Sequence, residues 1–191
     1  MNKIIVAALL ATAAAGASAQ AYVSGAVGVG RTNVECKPGV SCDKTGTAFK
    51  LVGGYGFGNN LSAELGYLSF GKASASASAT ATAPAVSLDI KSAGIALGLA
   101  YRIPASQAVD FTMRGGIINM KTKLTGRWGN LSGSDSDTNV APYVGVGVGY
   151  ALTPAIKLDA SLDLSRSKYN KNGESESGNV QAFTVGATFA F

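Results

Sequence analysis

Polar and apolar residues alternate along eight segments of this chain. In the last segment the odd-numbered positions carry Phe183, Val185, Ala187, Phe189 and Phe191. The even-numbered positions between them carry the small or weakly polar residues Ala182, Thr184, Gly186, Thr188 and Ala190. Because successive side chains of a β-strand point to opposite faces, each segment predicts a strand with one apolar face. The eight predicted strands are residues 21–34, 47–58, 61–70, 87–103, 109–123, 140–152, 156–169 and 179–191.

Short and long connections alternate between these segments. Residues 58–60, the stretch around Pro104 and residues 153–155 are short and rich in turn-forming residues. The longer connections are residues 35–46, 72–87, 124–139 and 170–178. Each apolar stripe covers roughly the 9–11 residues that a tilted strand needs to cross a bilayer. The pattern predicts an all-β fold, an eight-stranded antiparallel up-and-down transmembrane β-barrel, with short periplasmic turns and long external loops.

The composition is consistent with a membrane barrel. Only 14% of the residues are charged and 47% are hydrophobic, whereas soluble domains have about 25% charged residues. No apolar run after residue 19 approaches the length of a membrane helix. Basic residues are scattered along a chain that we expect to be exported, so the net charge of +5 does not predict nucleic-acid binding.

The N-terminal residues are typical of a secretory signal peptide. A positive start at Lys3 precedes an apolar stretch over residues 4–16 and a small-residue cleavage site over residues 17–19. We therefore expect residues 1–19 to be a signal peptide and residues 20–191 to form an outer-membrane β-barrel domain.

The parity opposite the apolar stripes carries charge. Eight strands enclose a space that side chains can fill, so we expect a buried charge network in the lumen and no wide channel. In a soluble β-sandwich the same charges would form the solvated face. We expect Arg102 to pair with Asp110, beside one tight turn. The expected lumen residues are Lys50, Glu64, Arg102, Asp110, Arg114, Lys157, Asp159 and Asp163.

Two further groups are expected at the ends of the apolar band. Basic residues on the outward parity would form a rim facing lipopolysaccharide phosphates, although solubility of the loop bases explains them equally well. The rim residues are Arg31, Lys91, Lys121, Lys123, Arg166 and Lys168. Aromatic rings prefer the headgroup level, so a periplasmic girdle is expected. Its residues are Tyr55, Phe57, Tyr101, Phe111, Tyr150, Phe189 and Phe191.

The sequence favours neither a metal site nor catalysis. Cys36 and Cys42 share the first long connection, and in an exported protein their spacing predicts a disulfide. Two thiolates fall short of the usual four ligands of a metal, so we expect no metal and no cofactor. The chain has no histidine, which excludes Ser-His-Asp and Cys-His arrangements. We do not expect an enzyme.

Three blocks resemble the OmpA-like and opacity-protein superfamily of small outer-membrane barrels. Residues 141–166, APYVGVGVGYALTPAIKLDASLDLSR, resemble its sixth and seventh strands with the turn between them. DFTMRGGIINMKTKL resembles the fifth strand and FTVGATFAF the last. The chain differs in its cysteine-containing first connection and its Ala/Ser-rich second connection. We also expect no peptidoglycan-binding domain after Phe191. External loops vary freely in this superfamily, so no binding residue can be carried over.

The resemblance implies a protein of the bacterial outer membrane. Its partners would be outer-membrane lipid and lipopolysaccharide, the barrel-assembly machinery through Phe191, and a host or cell-surface ligand through the external loops. We expect a monomeric, non-enzymatic surface barrel for adhesion, ligand binding or envelope integrity. Two alternatives remain: a small pore or lipophilic-solute conduit, and an exported soluble β-barrel binding protein.

Overall fold

The chain forms one closed antiparallel sheet. The computed structural model describes residues 21–33, 41–78, 86–129, 131–171 and 174–191, but no side chain between residues 167 and 177. The predicted signal peptide and Cys36 lie outside these residues. The strands are β1 (Ala21–Thr32), β2 (Ser41–Asp43), β3 (Thr45–Gly58), β4 (Leu61–Ala77), β5 (Val86–Pro104), β6 (Val109–Trp128), β7 (Leu131–Ala151), β8 (Ile156–Lys171) and β9 (Glu174–Ala190).

Eight long strands close the ring in the order β1-β3-β4-β5-β6-β7-β8-β9. The last strand pairs back with the first, from Tyr22 opposite Ala190 to Thr32 opposite Val180. The short β2 precedes β3 by one residue and pairs with the outer part of β4, so it continues the position of β3 in the ring. The eight-stranded antiparallel barrel predicted from the sequence is therefore confirmed, with β2 as an addition.

The apolar parity faces outward around the barrel. Val27, Leu65 and Ile95 are each about 60% exposed, at 62%, 59% and 58%. A continuous apolar surface of this extent is unfavourable in water and is typical of the lipid-facing band of a membrane barrel. In the described part of the chain, no helix is long and apolar enough to cross a membrane.

Short turns close one end of the barrel, as the sequence predicted. Asn59 and Asn60 adopt φ values of 53° and 64°, a left-handed conformation that Asn tolerates in tight turns. At another turn the Thr153 hydroxyl accepts a hydrogen bond from the Ile156 amide at 3.0 Å. The amide of Phe191 donates to the Ala21 carbonyl at this same end, which we call the periplasmic end because short turns mark that side in outer-membrane barrels.

The long connections predicted at the other end are wrong in extent, because the strands continue beyond the apolar band. β6 and β7 remain paired until Trp128 lies opposite Leu131, so most of residues 124–139 form a hairpin. β8 and β9 likewise continue to Lys171 and Glu174. Outside a membrane both faces of a strand meet water, so backbone pairing continues there without an apolar stripe.

A β-bulge in β4 changes which side chains face outward. The β4–β5 register shifts between Ser69, which lies opposite Ala93, and Lys72, which lies opposite Lys91. Gly71 supplies a φ of 84° at this point. The extra residue reverses the alternation, so Lys72 joins the outward face although the parity before the bulge would turn it inward.

Replacing Gly71 by alanine is expected to destabilise the barrel. A left-handed conformation costs a non-glycine residue about 1–2 kcal/mol, and the new Cβ would approach the Gly46 carbonyl to 2.9 Å. Gly133→Ala is the matched control, because a Cβ there meets open space without a positive φ. Urea unfolding in lipid vesicles should show a lower free energy of unfolding for Gly71→Ala only. Equal values for the two variants would contradict this role of the bulge.

Candidate functional site

The lumen contains a salt bridge between β6 and β4. The Arg114 guanidinium Nε donates to the Glu64 carboxylate at 3.0 Å and 3.3 Å, and the two side chains are nearly buried. The Tyr22 hydroxyl of β1 donates to the same carboxylate at 2.7 Å. These contacts join β1, β4 and β6 through the Glu64 carboxylate. Its buried negative charge is stabilised by the Arg114 guanidinium and by the Tyr22 hydroxyl.

A second buried pair joins β3 to β8. The Lys50 ammonium lies 2.6 Å from Asp163 Oδ2 and also donates to the Ser161 hydroxyl at 2.6 Å. The Tyr143 hydroxyl of β7 donates to Asp163 Oδ1, also at 2.6 Å. Asp163 is fully buried, so both of its oxygens depend on these partners.

The third group lies nearer the periplasmic end, around Asp110. Its carboxylate forms a hydrogen-bonded ion pair with Lys157, whereas Arg102 stays 3.8 Å away and forms no hydrogen bond through Nε. Asp159 accepts a hydrogen bond from the Thr188 hydroxyl. The structure thus brings Arg102 near Asp110, as expected, but gives Asp110 a closer partner that the alternation could not identify.

Three glycines of β7 explain how these side chains meet. A Cβ at Gly149 would lie 2.5 Å from the Lys157 side chain and 3.0 Å from Asp110 Oδ1. Because glycine has no side chain, Lys157 of β8 can reach across β7 to Asp110 of β6. A Cβ at Gly145 or Gly147 would likewise crowd Asp163 or Arg114. The glycines of β7 therefore leave the space that the charged side chains of β6 and β8 occupy.

An apolar layer covers the charges on the outer side of the lumen. Phe70, Ile118, Met120 and Val180 point inward and are at most 1% exposed. Ile118 and Met120 follow Arg114 on the same face of β6, on the side away from the periplasmic turns. The Tyr143 ring belongs to this layer while its hydroxyl bonds Asp163. Alternation along each strand indicates that these residues point inward, but it does not show that residues of different strands meet in one layer.

Little space remains inside the barrel. The cavity beside Lys50, Arg114 and Asp159 has a volume of about 10 Å³, which holds at most about one water molecule. The apolar layer lies on the outer side of this cavity.

The outer surface carries the basic residues just above the apolar belt. Arg31, Lys91, Lys121, Lys123 and Arg166 are exposed and point outward, and the side chain of Lys168 is not among those described. Through the bulge, Lys72 adds a residue that was not expected there. Lys72, Lys91 and Lys123 lie directly opposite one another on β4, β5 and β6. We call these three residues the lysine row.

One carboxylate borders the lysine row. Asp89 Oδ1 lies 3.3 Å from the Lys72 ammonium. A hydrogen bond from Ser74 and the nearby Lys72 hold the pKa of Asp89 below its ordinary value, so it stays ionised at neutral pH. Neither Lys91 nor Lys123 forms an ion pair within the described residues.

The described residues contain no group of three His, Cys, Asp or Glu side chains placed to hold a metal ion. Cys42 lies in β2 and Cys36 outside the described residues, so the disulfide stays a prediction.

Comparison with known proteins gives one family and several structures. The family described as outer membrane protein beta-barrel domain matches residues 4–191. Neisserial surface protein A has 18% identity and a TM-score of 0.58, covering 92% of this chain and 99% of that chain. Ail of Yersinia pestis, in complex with the heparin analogue sucrose octasulfate, has 16% identity and a TM-score of 0.53, covering 90% and 99%.

A third structure is similar at lower identity. OprG of Pseudomonas aeruginosa shares 12% identity with a TM-score of 0.52, covering 92% of this chain and 98% of that chain. Comparison with curated protein sequences gives no match. At these identities the structures support the fold, an outer-membrane β-barrel, and nothing finer.

Removing the Arg114 side chain is expected to destabilise the barrel strongly. Arg114→Ala leaves the buried Glu64 carboxylate without its cation, which typically costs about 3–5 kcal/mol. Arg102→Ala is the matched control, because Arg102 is 40% exposed and Asp110 keeps Lys157. Urea unfolding in detergent should lower the midpoint far more for Arg114→Ala. Equal midpoints for the wild type and Arg114→Ala would contradict a structural role of the pair.

Proposed function

This chain belongs to the outer membrane protein beta-barrel family and resides in the bacterial outer membrane, and we propose that it is a non-enzymatic surface barrel that binds a polyanionic saccharide. The binding surface would be the outward face of β4, β5 and β6, just above the apolar belt. The ligand class is a saccharide that carries several closely spaced sulfate or phosphate groups.

The lysine row is the observation that carries this proposal. Neighbouring strands lie about 4.8 Å apart, so three ammonium groups on adjacent strands can contact one ligand together. Like charges directly opposite each other in a sheet are unfavourable. Among the described residues Lys72 forms an ion pair with Asp89, whereas Lys91 and Lys123 form none. A bound polyanion would relieve this repulsion and gain charge-assisted hydrogen bonds. Lys121, opposite Ala93, extends the same positive surface.

Two sources could supply such a ligand. Lipopolysaccharide carries phosphorylated sugars in the outer leaflet, and a host surface can present sulfated glycans. The complex of Ail with sucrose octasulfate is a property of that protein, but it suggests a suitable probe. The same basic surface would serve adhesion in one case and envelope integrity in the other.

A pore is the weaker candidate, since two layers of side chains fill the lumen. The exported soluble barrel is excluded by the outer-membrane location. Recognition of Phe191 by the assembly machinery and a monomeric state stay predictions, as does the absence of catalysis. The lack of histidine supports the last of these, together with the ion pairs that engage Glu64, Asp110 and Asp163.

Neutralising two residues of the lysine row is expected to weaken saccharide binding. Lys91→Gln/Lys123→Gln removes two exposed charge contacts of about 0.2–1 kcal/mol each, so affinity for sucrose octasulfate should fall roughly tenfold. The control Arg31→Gln/Arg166→Gln removes the same charge from the other side of the barrel. Sucrose octasulfate is titrated by calorimetry into the protein in nanodiscs with and without lipopolysaccharide. Weaker binding of the probe in the presence of lipopolysaccharide would identify lipopolysaccharide, and not a host glycan, as the source of the ligand. Equal losses in both variants would contradict a specific site.

The wild-type barrel is expected to conduct no ions. We expect the apolar layer and the salt bridges beneath it to block a continuous water path through the described lumen, because an ion cannot cross an apolar region without its hydration. Planar-bilayer recordings of the purified protein should therefore show no discrete current steps. Reproducible steps from the monomeric barrel, absent in a mock preparation, would favour the pore instead.

A further inference from the structure

A groove opens on the outward surface where two hairpins separate. β7 and β8 stop pairing at Tyr143 opposite Ser165. Beyond that point β7 stays paired only with β6, up to Trp128 opposite Leu131, while β8 stays paired with β9. The two hairpins therefore diverge above the apolar belt, on the side of the barrel opposite the lysine row.

Pro142 accounts for the separation. In an antiparallel sheet the two residues of a hydrogen-bonded pair form two hydrogen bonds, one from each N–H to the C=O of the other residue. The N–H and the C=O of one residue therefore point to the same neighbouring strand. The Pro142 carbonyl points towards β8, where it accepts a hydrogen bond from the Ser165 hydroxyl at 2.9 Å. Pro142 has no N–H to complete the pair, and the ladder ends there.

The groove is amphipathic and spans β7, β8, β9 and β1. Its volume is about 570 Å³. Pro142, Val144 and Leu164 supply apolar walls at the level of the lipid-facing belt. Arg31 and Arg166 lie at the upper edge, and the amides of Asn179 and Gln181 on β9 lie between them.

The two arginines have no acidic partner in the described part of the chain. Both are exposed, and neither forms an ion pair with any described carboxylate. They stand two strands apart, roughly 10 Å at the usual strand spacing, so their long side chains can converge on one group between them. A guanidinium matches phosphate geometry with two parallel hydrogen bonds, which a lysine cannot provide.

We propose that this groove binds one phosphorylated glycolipid of the outer leaflet, namely lipopolysaccharide through its lipid A phosphate. Arg31 and Arg166 hold the phosphate, the amides of Asn179 and Gln181 donate to neighbouring oxygens, and one acyl chain lies along Val144 and Leu164. Charge complementarity at the upper edge, apolar walls below it and the position at the membrane surface all favour this occupant. The proposal depends on the outer-membrane location and not on saccharide binding by the lysine row.

The test measures lipid retained by the full-length barrel in native mass spectrometry after titration with lipid A. The wild type should retain one molecule, and Arg31→Gln/Arg166→Gln should retain at least tenfold less. Lys44→Gln/Arg127→Gln removes the same charge at positions that line neither the groove nor the lysine row and should retain lipid A like the wild type. Gel mobility of unboiled samples verifies that each variant folds.

A second variant tests the apolar walls without touching the arginines. Val144→Trp places a large side chain in the groove at a lipid-facing position where bulk does not disturb the lumen, and it should also reduce retention. Dephosphorylated lipid A should bind at least tenfold more weakly than lipid A, and inorganic phosphate should not displace it.

Several outcomes would overturn the proposal. Equal loss in Arg31→Gln/Arg166→Gln and in Lys44→Gln/Arg127→Gln would indicate diffuse attraction by the whole outer surface. Equal retention of dephosphorylated lipid A would leave no role for the arginines, and displacement by inorganic phosphate would indicate a simple anion site. Unchanged retention in both the arginine and Val144→Trp variants would mean that the groove binds no lipid.

Discussion

The closed ring of backbone hydrogen bonds is the constraint on which the rest of this structure depends. A bilayer offers no water to an unpaired N–H or C=O, so a sheet can cross it only when its last strand pairs with its first. Here β9 pairs with β1 along eleven register positions, from Tyr22 to Thr32. Closure with eight long strands fixes a narrow interior, and each inward side chain must then fit beside its neighbours across the lumen.

The narrow lumen explains where the charges lie and what they do. Glu64, Asp110 and Asp163 each meet a basic side chain inside the barrel, because an isolated buried charge is too costly. The apolar layer around Phe70, Ile118 and Met120 separates this network from the outer opening. Because the interior is largely filled, we propose that recognition takes place on the outer surface, where the lysine row and the groove beside Pro142 present charge at the membrane boundary.

Much of this architecture was readable from the sequence, because alternation is a local property of each strand. The strand positions in the apolar band, the periplasmic turns and the inward or outward direction of most side chains followed from it. Three features did not. The outward direction of Lys72 depends on the bulge at Gly71. The pairing of Asp110 with Lys157 depends on Gly149 of the strand between them. The outer hairpins continue through polar residues, where no apolar stripe marks a strand. Each depends on partners far apart in sequence.

We propose that this barrel acts through charge on its outer surface and not through its lumen. The most direct measurement is the affinity of the wild-type protein in nanodiscs for sucrose octasulfate across a series of salt concentrations. An electrostatic site on an exposed lysine row predicts binding that weakens steeply as salt rises from low to physiological ionic strength. Affinity that does not change with salt, or no binding at the lowest salt, would contradict the account.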